Sequence, residues 1–396
     1  MLNNARKRSG LGAALVLVAG SLLTLATSTA AGAAPVPKAC SIPPRVGHIA
    51  GIVPAMGDCS GSSSTVAPAA ISHMTDRAAP ASDTANGTPP LLFHGGPVMM
   101  TQQTGPLIIT PIYWDPSGHP VSASYKDIIG VYLGNVALAS GQNSNVYSVA
   151  NEYTGTNGQI HYNIRVTAGI DDTNALPANG CTVATADQAN IYADKSGYDA
   201  CLDDNQLQAE INHVTAAFRL PHNLSHIYVL FLAKHVESCF NPGSTLTAAN
   251  QCTINHEPSA TYCAYHSDST SNAIYANMPF PIYNSPVGFT CGTEFNFGTI
   301  ESPNGNPDAD VEISPTSHEI NEAITDPDTV TGWYDSSGFE NGDECAYIFG
   351  QTHGQPGRLY NQVIGGFRFL TQEEFSNRDF NITGGGCVQS ASAEAH

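Results

Sequence analysis

Residues 203–232 read DDNQLQAEINHVTAAFRLPHNLSHIYVLFL, and within them the hydrophobic pattern changes period once. Leu207, Ile211, Val214 and Phe218 recur at helical spacing behind Asp203 or Asp204, either of which can cap a first turn. His226 to Leu232 then runs as an unbroken hydrophobic stretch, the signature of a strand. The same alternation extends outward. Leu107 to Tyr113 (LIITPIY) reads as a buried strand ending near Pro111 or just beyond it, because proline cannot donate to a ladder. Tyr125 to Leu138 has a helical face of Ile128, Ile129, Tyr132, Leu133 and Val136. Tyr162 to Val166 alternates as a half-buried strand, and Ser271 to Met278 forms another. Strands alternating with helices imply an α/β architecture, with α+β as the alternative, in one large globular domain.

The flanks differ in composition. Arg6, Lys7 and Arg8 precede an apolar run from Leu11 to about Ala26, then small residues around Ala31-Gly32-Ala33-Ala34. That order is a secretory signal peptide, assigned to residues 1–34. Residues 35–90 are rich in Ala, Pro, Ser, Thr and Gly and read as a flexible leader. Residues 91–388 are expected to form the globular domain and 389–396 a small polar tail. No later stretch is long and apolar enough to span a bilayer.

The formal net charge is −20, and loss of the three signal-peptide cations takes it to −23. Such a field repels nucleic acid and anionic membranes, which excludes them as partners. The ten cysteines are even in number and contain no C-x-x-C pair. In an exported chain this favours disulfides over cysteine-bound zinc. The most local pairings are Cys40–Cys59, Cys181–Cys201, Cys239–Cys252, Cys263–Cys291 and Cys345–Cys387, a connectivity that spacing alone does not fix.

Chemistry concentrates in residues 314–345, SPTSHEINEAITDPDTVTGWYDSSGFENGDEC. His318-Glu319-Ile320-Asn321-Glu322 has the form H-E-x-x-E, with Pro315, Thr316 and Ser317 suited to a helix start and Pro327 to its stop. His318 and Glu322 are four residues apart, so on a helix they share a face and reach one metal ion. Glu319, one position along, addresses a water at that ion as general base, as in the H-E-x-x-H zinc-protease helix. A third ligand is expected downstream. Glu340 stands at the separation used by zinc proteases whose third ligand is a glutamate; Asp343 and Glu344 are rivals, as is Asp326 one turn along the helix. The ion is expected to be Zn²⁺, with another divalent ion not ruled out. The alternative is an ordinary amphipathic helix, with Ile320, Ala323 and Ile324 inward and the charges solvated.

A series of short motifs resembles the EXORDIUM family, also called the phosphate-induced protein 1 family, in a bacterial secreted version. They are His94-Gly95-Gly96-Pro97-Val98-Met99, the apolar strand ending Tyr113-Trp114, Tyr262-Cys263-Ala264-Tyr265-His266-Ser267, Ile274-Tyr275-Ala276-Asn277, the His318 to Pro327 segment, Gly332-Trp333-Tyr334-Asp335, Gly342-Asp343-Glu344-Cys345, Tyr360 to Ile364 and Phe375-Ser376-Asn377. The resemblance implies an extracellular protein linked to cell-wall growth responses, and it hands over no biochemical activity.

Two histidines are accessory candidates: His94, before two glycines, and His266, beside Cys263. The serine-hydrolase elbow and nucleotide-binding glycine patterns are absent. Three functions follow. One is a secreted metal-dependent hydrolase acting on peptides. Another is a non-enzymatic extracellular module binding cell-wall polymer or a protein. The third is a glycosidase using paired carboxylates such as Glu319 and Glu340.

Overall fold

A computed structural model describes residues 38–39, 49–57, 90–183, 191–243, 250–254, 261–286, 288–383 and 385–391. The signal peptide, most of the leader, and both Cys40 and Cys59 lie outside the described residues.

The frame is a seven-stranded mixed sheet. Its strands are β1 (Ile49–Pro54), β2 (Leu107–Trp114), β3 (Ile164–Val166), β4 (Ile170–Asp172), β5 (His226–Leu232), β6 (Tyr262–Asp268) and β7 (Ile274–Met278). The order is β1-β6-β7-β5-β2-β3, with β4 beside β3 on β2. Strands β7, β5, β2, β3 and β4 pair in parallel, whereas β6 runs antiparallel to both β7 and β1. The three long helices are α1 (Ala123–Leu138), α2 (Asp204–Phe218) and α3 (Pro307–Thr325).

The chemistry of the segments explains most of these elements. Asp203 caps α2 in a reciprocal box with Gln206, which satisfies two otherwise orphaned donors. Strand β5 is buried from Ile227 to Leu232 because it lies inside the parallel part of the sheet. Strand β2 runs through Pro111 rather than ending there. Its partner on one side is β3 as far as Ile109 and β4 from Ile112 onward, so the proline falls in the gap.

Adjacent residues of β6 point to opposite faces of the sheet. The Tyr265 hydroxyl donates to Asp204 at the start of α2, whereas His266 meets Glu319 of α3. The sheet is therefore layered between α2 and α3. Among the described residues four disulfides form: Cys181–Cys201, Cys239–Cys252, Cys263–Cys291 and Cys345–Cys387.

Two expectations need correction. Residues 49–57 were expected within the flexible leader, yet Ile49–Pro54 is an edge strand, and Ile49, Ile52, Val53 and Met56 are core. These four apolar residues bury enough surface to hold the segment, and the small residues between them let it lie close to its neighbours. Helix α3 was expected to start near Pro315. It starts two turns earlier, with Pro307 at its first position behind the Asn306 cap, and Pro315 lies inside it. An internal proline costs about 3 kcal/mol or more, a penalty that burial of nearly the whole helix offsets. The first residues of the expected tail are also tied down, through Gln389 Nε2 to the Phe349 and Gln351 carbonyls.

Candidate metal centre

Helix α3 is buried from Ala309 to Thr325 except at Ser314. His318, Glu319 and Glu322 are each 0% exposed, so the reading of a solvated charged face does not hold. Most other polar residues here satisfy themselves locally. Thr316 Oγ1 donates to the Glu312 carbonyl, Asn321 Nδ2 to the Ser317 carbonyl and Thr325 Oγ1 to the Glu322 carbonyl. The H-E-x-x-E side chains instead project towards β6, β1 and the turn at 340–345.

His318 Nε2 lies 3.0 Å from Glu322 Oε1 and 3.6 Å from Asp343 Oδ1. His266 Nδ1 lies 3.4 Å from Glu319 Oε2 and 3.7 Å from Glu322 Oε2, while its Nε2 lies 3.8 Å from Glu340 Oε2. Two trios result, His318–Glu322–Asp343 and His266–Glu322–Glu340, each with ligand atoms within 4.8 Å of one another. Glu322 belongs to both. Its two oxygens face different histidines.

The turn is threaded onto the helix. The Asp343 amide donates to Glu322 Oε1 at 2.8 Å, and the Glu340 amide to Asp343 Oδ2 at 3.0 Å. Cys345 clamps this turn to Cys387. The fit is close at Gly342, where a methyl would stand 2.9 Å from both Glu322 Oε1 and His318 Nδ1. His266 Nε2 lies 3.2 Å from the Asp326 carbonyl. With the proton on Nε2 donated to that carbonyl, Nδ1 presents its lone pair to Glu319 and Glu322.

Electrostatics expose a shortage of cations. Burial pushes Glu319 well above the usual carboxylate range and raises Glu322 to about 7, with Asp343 adding to the Glu322 shift. Nearby Glu374 is likewise pushed well up by burial. Burial would lower His318, but Glu322 and Asp343 more than offset it and hold the ring well above its ordinary value. Among the described residues no lysine or arginine pairs with Glu319, Glu322, Asp343 or Glu374. Both ring nitrogens of His318, Glu319 Oε1, Glu322 Oε2 and Glu374 Oε1 are buried without a hydrogen bond. The 3.0 Å approach of His318 to Glu322 is close but not aligned as one. Buried carboxylates in this state cost several kcal/mol unless protons or cations neutralise them. An imidazole-and-carboxylate donor set suits zinc or another divalent ion.

The structure thus brings together His318, Glu319, Glu322, Glu340, Asp343 and His266. It does not bring in His94, whose ring stacks on Tyr334 with centroids 3.6 Å apart and contacts the Tyr334 carbonyl. Asp326 caps α3 and contributes its carbonyl to His266, while its carboxylate is outside both trios. Sequence reasoning missed Gly51, Gly342 and Glu374. Only the glycine before Asp343 left a visible trace, as part of a turn. Two other groupings, Cys181–Cys201–Cys239 and Glu237–Cys239–Cys252, draw on cysteines already in disulfides, so no thiolate is available there.

A separate cleft of about 320 Å3 is lined by Trp114, Asn174, Gln206, Glu210 and His213 among others. Burial and the adjacent Asp172 raise Glu210 to about 9.

No protein-family model, curated protein or solved structure matches this chain.

Proposed function

We propose that the cluster on α3 holds a divalent metal ion, zinc above all, and that the protein is a secreted metal-dependent hydrolase acting on peptides. One observation carries this reading. Imidazole and carboxylate donors from α3, β6 and the 340–343 turn converge in a buried cluster, in which both ring nitrogens of His318, Glu319 Oε1 and Glu322 Oε2 find no hydrogen bond. The ligands are His318 and Glu322 with Asp343, and His266 with Glu340 lies on the other side of Glu322. A bound ion supplies Lewis acidity and lowers the pKa of a water it holds.

The remaining steps belong to the chain. Glu319 accepts a proton from the attacking water as its oxygen bonds to the scissile carbonyl carbon. The C–N bond then breaks, and Glu319 passes that proton to the leaving amine. The sum is water plus amide giving acid plus amine. His266, oriented by the Asp326 carbonyl, stands with Nδ1 3.4 Å from Glu319 Oε2.

Export fits the four disulfides and the lack of any helix, among the described residues, long and apolar enough to cross a membrane. The EXORDIUM-like motifs point the same way. The test is Glu319→Gln: it should keep fold and metal while lowering peptide hydrolysis on the order of 10²–10⁴-fold. Unchanged turnover would sink the mechanism.

The complete burial of the donors favours a second reading, in which the ion only ties β1, β6 and α3 together in a non-enzymatic cell-wall or protein-binding module. On that reading no substrate is turned over and Glu319→Gln is silent.

A further inference from the structure

We infer that strand β1 (Ile49–Pro54) occupies the place of an extended peptide substrate beside the metal centre. This rests on the hydrolase reading. Strand β6 presents His266 to the centre and offers its outer edge to a pairing partner. An exposed edge captures an extended peptide by main-chain hydrogen bonds, with alternate side chains setting specificity. In this structure β1 takes that edge, antiparallel.

Its register is irregular at one point only that bears on the site. Val53 pairs with Ala264 and Ala50 with His266, so Gly51 and Ile52 together stand opposite Tyr265. This is a bulge, and bulges re-aim backbone near functional groups. Gly51 takes φ +57°, and a methyl there would lie 1.9 Å from Glu322 Oε2 and 2.5 Å from His266 Nδ1. The bulge therefore presses main chain against Glu322, a ligand of the proposed ion, and against His266 beside it. Ile49, Ile52 and Val53 are 1–2% exposed, so flanking apolar positions are seated too.

The substrate class follows from what sits there. The site takes an extended, apolar peptide running antiparallel to β6, with glycine at the position over the centre, because any side chain there meets Glu322 and His266. The chain carries its own occupant, which covers Glu322 and His266.

The test uses the full chain loaded with zinc, with a recognition sequence for a specific protease inserted between Ser60 and Asn86. Hydrolysis of a quenched peptide containing Ile-Ala-Gly-Ile-Val is followed before and after nicking, and in an un-nicked Gly51→Ala variant, whose added methyl drives the bulge outward. Each route is expected to raise the rate at least tenfold. An excess of the free peptide IAGIVPAMG should reverse the gain, and the same peptide with alanine for its first glycine, the counterpart of Gly51, should not. If hydrolysis depends on zinc and Glu319 but neither route raises it, the strand inference fails and the hydrolase reading stands. If nicking releases the zinc, β1 is part of the ion's cage and the inference fails. If no form shows zinc-dependent hydrolysis, the hydrolase reading fails and takes this inference with it.

Discussion

Tyr265 and His266 are neighbours on one strand, and each leads to a buried acid on a different face of the sheet. On the Tyr265 face, Asp204 accepts hydrogen bonds from the hydroxyls of Tyr265 and Tyr275 and from Gln208 Nε2. On the His266 face, Glu319 and Glu322 have other carboxylates as neighbours, and each keeps a buried oxygen without a donor. Both acids are as deeply buried, at 1% exposure or less. What separates them is the donor census. The first centre is complete as protein and needs only to hold α2 against β6 and β7. The second leaves buried polar atoms without a protein partner, and the partner we propose for them is a cation.

The largest break in that contrast is expected from His318→Ala and Glu322→Ala. Each should remove a ligand shared by or central to the trios, abolish measurable hydrolysis and lower zinc affinity by roughly 100-fold or more, read by isothermal titration. On the other face, Asp204→Ala should leave zinc stoichiometry unchanged and cost about 2–4 kcal/mol in urea unfolding, since it strands two tyrosine hydroxyls and an amide. A loss of zinc in that variant would erase the distinction between the faces. Gly342→Ala should act between these extremes. Its methyl crowds Glu322 and His318 at 2.9 Å, so zinc affinity should fall roughly tenfold with little change in stability.

The smallest effect concerns Glu210, a third buried acid, in the cleft beside Trp114. Its pKa is raised from 4.5 to about 9 by burial and Asp172. The stability associated with its neutral form is fully present below pH 4.5 and is lost progressively as the pH climbs towards 9. Glu210→Gln stays neutral throughout. Its urea midpoint should match the parent's near pH 4.5 and exceed it increasingly up to pH 8.5. A gap that shrinks with rising pH would contradict the assignment.

Much of the frame was legible because it is local. The Asp203 cap, the Leu207-Ile211-Val214 face and the run from His226 to Leu232 lie within thirty residues of one another, and their periods are distinct. The four described disulfides also join neighbouring cysteines. Pro315 misled because proline most often opens a helix, whereas here tertiary burial carries it inside one. Residues 49–57 were hidden by their surroundings: this short apolar stretch is set in a region rich in Ala, Pro, Ser, Thr and Gly. At the site, the spacing of His318 and Glu322 was readable because a helix fixes it. The convergence of His266 and Gly51 on the same point was not. It depends on β6 pairing with β1 across more than two hundred residues, a contact that no local pattern encodes.

The central claim is that protein alone leaves the α3 cluster incomplete, and metal content tests it most directly. Mass spectrometry of the purified protein should find about one zinc or more per chain, lost in both His318→Ala and Glu322→Ala. Metal-free protein, or metal retained in both variants, would contradict the account and leave H-E-x-x-E as a buried, protonated stretch of helix.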